Sequence, residues 1–135
     1  MNLKQAKELV RSRLSDKRYE HTINVKKMAV KLAKHYGADE EQAALAALLH
    51  DAAKEIGKDE MRAIMQAHPE YAEGWEARPT PVWHGVCASI LARTEWDVTD
   101  EAVLSAIACH TAGKPGMTQL DKILYLADMT SAERD

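Results

Sequence analysis

The sequence lacks the features that mark secreted and membrane-spanning proteins. It has two cysteines in 135 residues, Cys87 and Cys109, and their spacing fits neither a disulfide framework nor a Cys-x-x-Cys site. No stretch approaches the ~20 apolar residues of a membrane helix, and residues 1–8 lack the apolar segment of a signal peptide. We therefore expect buried free thiols, no membrane partner and a cytoplasmic location.

The sequence also has no large excess of positive or negative charge. The formal net charge is −3, and no run of like charges suggests an interaction tail. A nucleic-acid partner is therefore not expected. The 135 residues predict a single domain over residues 1–135, and a chain of this size buries a little under ~70% of its unfolded surface, which is enough for a proper core.

The periodic segments are all helical, and no strand pattern of any length is evident. Apolar residues recur at helical spacing between recognisable caps and stops. This pattern predicts an all-α bundle of about seven helices. Their expected bounds are roughly Leu3–Leu14, Ser15–Gly37, Asp39–Lys54, Lys58–Ala67, Pro81–Glu95, Thr99–Thr111 and Thr118–Thr130. The least regular region is Pro69–Pro81, and a loop of this length is typical of a functional segment or a lid.

His50 and Asp51 follow directly after a run of small and branched apolar residues, at positions 43–49. A helix that is apolar on every side is expected to be buried, so an imidazole and a carboxylate at its end need partners. A metal ion would satisfy both groups, because His and Asp are common ligands. The alternative is a structural ion pair between Asp51 and a basic neighbour.

Three further histidines and one aspartate lie on apolar helical stripes. His21 precedes Val25 and Met28 at helical spacing, and the same relation to apolar neighbours holds at each of the others. They are His84, His110 and Asp128. A single histidine on such a stripe is often a satisfied core residue, but four histidines and two aspartates facing one core would each need a separate partner. One or two shared cations would satisfy all six groups. His35 and His68 lie in polar settings, and we expect them at the surface.

The order His21, His50-Asp51, His84, His110, Asp128 resembles the HD-domain metal phosphohydrolases. Several short segments narrow the resemblance to the bacterial YqeK-type family of symmetrical diadenosine tetraphosphatases. They are Tyr19-Glu20-His21-Thr22, Leu48-Leu49-His50-Asp51-Ala52-Ala53-Lys54, Trp83-His84-Gly85, His110-Thr111-Ala112-Gly113-Lys114-Pro115 and Leu120-Asp121-Lys122-Ile123-Leu124-Tyr125-Leu126-Ala127-Asp128. The resemblance covers nearly the whole chain and implies an HD-domain helical bundle.

This resemblance implies a two-metal hydrolase that splits diadenosine tetraphosphate symmetrically into two ADP. His21, His50, Asp51 and Asp128 would hold one metal, while His84 and His110 would hold the second, with Asp51 bridging. Iron is the expected metal, with Mn, Co, Zn and Mg as alternatives. Two neighbouring cations can lower the pKa of a bound water and neutralise phosphate oxygens.

Five positions are candidates for substrate contact. Lys54 completes the HDxxK pattern of the family, and we expect it to take part in catalysis by binding a phosphate oxygen. The others are Thr111, Gly113 and Lys114, on a Gly-Pro-rich loop after His110, and Arg134, where the family carries an arginine. The alternatives are a snorkelling surface lysine at position 54 and an ordinary turn after His110.

The sequence departs from the family pattern after Asp128. The family there reads Asp-Tyr-Ile-Glu-Pro before its arginine and continues into further C-terminal helices. This sequence reads Asp128-Met129-Thr130-Ser131-Ala132-Glu133-Arg134, and we expect the family's C-terminal helices to be absent. Hydrolysis of another nucleotide or phosphate ester therefore stays open, as does a nucleotide- or metal-binding module without turnover. A homodimer is a further alternative to a monomer.

Overall fold

The computed structural model describes residues 1–133 and is all-helical over that range. It contains no strand there, and no helix in it combines the length and apolar character needed to cross a bilayer. The helices are α1 (Leu3–Arg13), α2 (Asp16–Tyr36), α3 (Glu40–Leu49), α4 (Lys58–Ala67), α5 (Pro69–Ala72), α6 (Trp83–Thr94), α7 (Glu101–Cys109) and α8 (Gln119–Thr130), with a 3₁₀ turn at Thr80–Val82 before α6. The predicted all-α bundle is confirmed.

Capping side chains set the helix ends where the sequence predicts them. The Ser15 side chain accepts a hydrogen bond from the Arg18 amide at the start of α2. At the start of α8, Thr118 and Asp121 form a reciprocal capping box. The C-cap of α2 is Gly37, whose φ of 71° lies in the left-handed region that glycine adopts without strain.

α3 is the helix that ends differently from expectation. We predicted helix to Lys54, but α3 ends at Leu49. Four-residue turns follow, with the Ala52 amide 3.1 Å from the Leu49 oxygen and the Lys54 amide 2.9 Å from the Asp51 oxygen. Adjacent positions of a regular helix point about 100° apart. The break lets the His50 and Asp51 side chains both turn inward, and both are buried.

The helices that carry the predicted site residues pack directly on one another. α2 packs against α3 and α8, while α7 packs against α3, α6 and α8. α6 and α7 meet closely at Gly85, where an added Cβ would lie 3.0 Å from the Ile107 and Ala108 oxygens and 3.2 Å from Nδ1 of His110. This contact brings the start of α6 against the end of α7.

The segment between α4 and α6 is more ordered than the sequence suggests. It begins with the short helix α5, which the sequence reading missed. The Trp83 indole donates to the Trp75 oxygen at 3.1 Å and to the Arg78 oxygen at 3.0 Å, so the segment is fastened to the first turn of α6. Its role as a lid stays a prediction.

Candidate metal centre

The six side chains predicted as ligands meet in one buried centre. They come from a face of α2, the turn after α3, the first turn of α6, the residue after α7 and the last turns of α8. Five are buried and Asp128 is half-buried. The six are His21, His50, Asp51, His84, His110 and Asp128. Their role as metal ligands stays a prediction, and their proximity is what the structure establishes.

Asp51 lies between two pairs of histidines. One carboxylate oxygen, Oδ1, is 3.2 Å from Nε2 of His84 and 3.5 Å from Nε2 of His110. The other, Oδ2, is 3.5 Å from Nε2 of His50 and 3.8 Å from Nε2 of His21. A carboxylate whose two oxygens face two separate sets of nitrogen donors has the arrangement of a bridging ligand.

Asp128 lies on the His21 side of this centre. Its Oδ1 is 2.8 Å from Nε2 of His21 and 3.5 Å from Nε2 of His50. The donor atoms of His21, His50 and Asp51 lie within 4.8 Å of one another, and those of Asp51, His84 and His110 do so as well. The donor atoms of His50, His110 and Asp128 also lie within that distance, so the donors form three overlapping groups that join into one cluster.

Backbone carbonyls orient three of the imidazoles. In each case Nδ1 of the histidine hydrogen-bonds the carbonyl oxygen three residues earlier, at 2.5 Å for His50, 3.1 Å for His84 and 2.7 Å for His110. Because a carbonyl only accepts, Nδ1 must carry the proton, and a neutral ring then presents an Nε2 lone pair to the centre. The accepting oxygens belong to Ala47, Pro81 and Ile107.

These lone pairs face one another and lack donors. Nε2 of His84 is 3.2 Å from Nε2 of His110, so two acceptor atoms point at the same space when both rings are neutral. Nε2 of His50 is buried and has no hydrogen-bond partner among residues 1–133. Buried acceptors of this kind are costly unless something satisfies them. A cation fits this donor set, because imidazole nitrogens and carboxylate oxygens are its common ligands.

The electrostatics keep the two carboxylates ionised. Burial alone would raise the pKa of Asp51, but the charge of His50 and the close rings of His110 and His84 outweigh burial and hold that pKa well below its usual value. The pKa of Asp128 is likewise lowered against burial, by the hydrogen-bonded His21 ring and by the nearby His50 ring.

The pKa values of His110 and His50 are shifted in opposite directions. Burial lowers the pKa of His110, and nearby histidines add to that effect against the carboxylates. Burial also opposes protonation of His50, but the charges of Asp51 and Asp128 raise its pKa overall. The centre therefore carries ionised carboxylates beside a histidine that holds its proton more tightly than usual.

Arg18 is a member of the centre that sequence reasoning missed. Its Nη2 pairs with Oδ2 of Asp51, so the structural ion pair considered as an alternative for Asp51 is present. That pair does not remove the case for a cation, because the histidine lone pairs remain. The sequence does contain an indication of this position. Arg18 lies three residues before His21 and therefore on the same face of α2.

Glu133 is the second member that was missed. Its Oε2 is 2.8 Å from Nδ1 of His21, and the Ser131 hydroxyl also donates to it. Burial would raise the pKa of Glu133, but the hydrogen bonds from Ser131 and His21 lower it to about 2. A carboxylate in this position orients the imidazole with Nε2 toward the centre. Glu133 follows the last helix, so no helical period could have indicated it.

The predicted substrate residues have varied surroundings. Lys54 is exposed in the turn after α3, and its ammonium forms no ion pair within residues 1–133. Arg134 lies outside the described residues. His35, which we expected at the surface, is exposed, while His68 is half-buried and 3.7 Å from a carboxylate oxygen of Glu70. Neither of these two histidines belongs to the centre.

The loop after His110 is held by its own hydrogen bonds. The Gly113 amide donates to the Cys109 oxygen at 2.8 Å, and the Lys114 ammonium donates to the Ser105 hydroxyl at 2.6 Å and pairs with buried Asp121 at 3.7 Å. These two predicted phosphate contacts therefore already have partners in the protein. Thr111 differs, because its hydroxyl is buried and has no hydrogen-bond partner in the described chain.

Both cysteines are free and buried, as expected. Burial raises the pKa of Cys87 to about 12 and that of Cys109 to about 11. Both are therefore thiols at neutral pH, which makes them poor nucleophiles and poor ligands.

Comparison with known proteins identifies the class to which this centre belongs. Residues 18–133 match the HD domain family, a span that takes in every side chain of the centre. The chain therefore belongs to the HD domain family. HD domains are metal-dependent, and the His/Asp cluster described above could bind metal.

Individual relatives are similar over nearly the whole chain. It is 39% identical over 134 residues to the symmetrical bis(5'-nucleosyl)-tetraphosphatase of Bacillus subtilis (strain 168), covering 99% of this chain and 72% of the relative. It is 41% identical over 138 residues to the protein of the same name from Halalkalibacterium halodurans, with 99% and 71% covered. A crystal structure of a predicted HD superfamily hydrolase involved in NAD metabolism, from Clostridium acetobutylicum, superposes with a TM-score of 0.93 at 33% identity, covering 100% of this chain and 71% of that one.

Proposed function

We propose that this chain is a metal-dependent hydrolase that cleaves diadenosine tetraphosphate symmetrically into two ADP. The relatives that carry this name match the chain over almost its full length. The structural observation that best supports the proposal is Asp51, whose two oxygens face two separate pairs of histidines. Two metal ions bridged by one carboxylate form a site suited to hydrolysis of phosphate esters and anhydrides.

The metal ligands that we propose follow from the distances around Asp51 and Asp128. His21, His50, Asp51 and Asp128 would hold one ion, and His84 and His110 would hold the second, with Asp51 shared. When bound, the ions supply an activated water and neutralise phosphate oxygens. Iron is the metal that we propose, and manganese, cobalt, zinc and magnesium have the same ligand preferences in part.

Charge explains why the site needs cations to bind this substrate. The centre holds three ionised carboxylates, Asp51, Asp128 and Glu133, against one guanidinium, so with neutral imidazoles it is negatively charged. A polyphosphate chain is also strongly negative and would be repelled. Cations reverse the sign of the centre and make it a binding site for phosphate.

The reaction breaks the anhydride bond between the two central phosphoryl groups. A water oxygen adds to one phosphorus, the bridging oxygen leaves with the other phosphoryl group, and the protons pass to solvent. Histidines whose Nδ1 atoms are held by carbonyls cannot rotate freely, so the donor set is preorganised for this step.

We propose that substrate contacts come from Lys54, Thr111, Gly113, Lys114 and Arg134. Lys54 is the better placed of the two lysines, because its ammonium has no partner among residues 1–133 while that of Lys114 is engaged by Ser105 and Asp121. The Thr111 hydroxyl, which lacks a partner in the same range, could donate to a phosphate or ribose oxygen. A cytoplasmic location and a homodimer stay predictions.

The test is product analysis with diadenosine tetraphosphate and metal-loaded protein. We expect ADP as the single nucleotide product with Fe or Mn, and no product after metal removal. The double variant His50→Ala/Asp51→Ala should be inactive, while His35→Ala, an exposed histidine outside the centre, should keep full activity. ATP and AMP as products would contradict the symmetrical assignment. A panel of other nucleotides and phosphate esters, together with a single-turnover assay, distinguishes the broader hydrolase and the binding module without turnover.

A further inference from the structure

Arg18 lies at the edge of the metal centre and is partly open to solvent. It is on α2, one turn before His21, and its side chain is 27% exposed while its partner Asp51 is almost fully buried. The Arg18 side chain therefore contacts the buried carboxylate and still has part of its surface open to solvent beside the centre.

The guanidinium is only partly satisfied by the protein. An arginine carries five N–H donors, and within residues 1–133 that of Arg18 makes a single hydrogen bond, from Nη2 to Oδ2 of Asp51. Its Nε is buried and has no hydrogen-bond partner in that range. A buried donor left without an acceptor is destabilising, so this arrangement indicates an acceptor that residues 1–133 do not supply.

Arg93 shows what a purely structural pair looks like in this protein. Its side chain has nearly the same exposure, 28%, but it grips Glu101 with two prongs, Nη1 to Oε2 at 2.8 Å and Nη2 to Oε1 at 3.0 Å. Arg18 instead contacts one oxygen of Asp51 and keeps its Nε edge unpaired. The difference argues against an ion pair as the whole role of Arg18.

We propose that Arg18 binds a phosphate group of the substrate through the guanidinium donors that Asp51 leaves free, while Asp51 holds the guanidinium at the centre. Phosphate is the acceptor that best fits this edge, because its oxygens match the planar fork of arginine. The inference rests on the proposed function, in which a polyphosphate chain lies over the histidine and carboxylate cluster. It adds a residue that the sequence reading did not assign.

The test compares Arg18→Gln, Arg18→Lys and the matched control Arg93→Gln in the full chain loaded with Mn. Metal per chain is measured first, and the affinity for inorganic pyrophosphate and for ADP is then measured by calorimetry. We expect Arg18→Gln to keep the metal content of the unmodified protein and to bind both ligands about 10- to 100-fold more weakly, as loss of hydrogen bonds to a charged group implies. Arg18→Lys keeps the positive charge but not the planar guanidinium. Its affinity for both ligands should lie between that of the unmodified protein and that of Arg18→Gln. Arg93→Gln should bind like the unmodified protein.

Two results would overturn this inference. One is unchanged pyrophosphate and ADP affinity in Arg18→Gln. The other is a loss of affinity in Arg18→Lys and Arg18→Gln that is wholly accounted for by loss of metal, which would make Arg18 a support for Asp51 alone. Failure of the proposed function looks different. In that case the unmodified protein binds pyrophosphate in an Arg18-dependent way but releases no ADP from diadenosine tetraphosphate.

Discussion

Removing the bound metal should lower the melting temperature of this protein substantially. The structure places two ionised carboxylates and a set of unprotonated imidazole nitrogens around one buried space, with Nε2 of His84 and Nε2 of His110 only 3.2 Å apart. Two facing imidazole acceptors, and the buried Nε2 of His50 that has no hydrogen-bond partner among residues 1–133, are costly until cations bind. The folded state binds metal and the unfolded chain largely does not, so metal concentration acts directly on the folding equilibrium.

The magnitude follows from mass action. Metal at 100 times its dissociation constant stabilises the folded state by about 2.7 kcal/mol per site. For a domain of this size, 1 kcal/mol corresponds to roughly 3–6 °C in melting temperature. One occupied site should therefore raise the melting temperature by on the order of 10 °C, and a second site sharing Asp51 should add to that rise.

The assay is thermal unfolding of metal-stripped protein titrated with Mn, followed by circular dichroism. Asp51→Asn, which removes the shared carboxylate, should abolish most of the metal-dependent shift, whereas His35→Ala should leave it intact. The reasoning would be refuted by a melting temperature that does not depend on metal, or by an Asp51→Asn variant whose shift equals that of the unmodified protein.

Three further predictions concern the positioning of the donors. Gly85→Ala should destabilise the protein by about 1–3 kcal/mol, because the added Cβ would lie 3.0 Å from backbone oxygens and 3.2 Å from Nδ1 of His110. Denaturant unfolding measures this loss of stability. Unchanged stability would contradict the close packing of α6 on α7. Metal affinity should fall as pH decreases through the raised pKa of His50, because protons then compete with the metal for its ring. Metal-binding titrations at several pH values measure this. The same metal affinity at pH 8 and pH 6 would exclude the competition. Glu133→Gln should weaken metal binding about 10-fold, because the carboxylate fixes the His21 ring at 2.8 Å; equal affinity in competition with a chelator would show that Glu133 is dispensable.

Helical periodicity and capping chemistry were sufficient to predict most of the fold. Ser15, Gly37 and Thr118 act within a few residues of themselves, so their effects can be read locally and are confirmed. The end of α3 could not be predicted in this way. The helical period continues through Lys54, but the requirement that His50 and Asp51 both point inward is a tertiary demand, and it ends the helix at Leu49.

The residues of the candidate site likewise include some that local sequence patterns predict and others that depend on tertiary structure. The six predicted ligands lie on helical stripes or at helix ends, and each stripe points to the core that all helices share, so their convergence could be predicted. Glu133 could not, because it comes from an irregular segment whose path depends on where α8 ends and what it meets. The composition of its loop predicts Lys114 as a phosphate contact. Composition does not reveal that Ser105 and Asp121 engage its ammonium.

Counting the metal in the purified protein tests the central claim most directly. Elemental analysis of freshly purified protein should find about two metal ions per chain, as expected for a site that binds a pair of ions through one shared carboxylate. The double variant His84→Ala/His110→Ala should retain about one, because the other group of donors is left in place. Absence of metal from the unmodified protein after reloading with Fe or Mn, or unchanged metal content in His50→Ala/Asp51→Ala, would contradict the account.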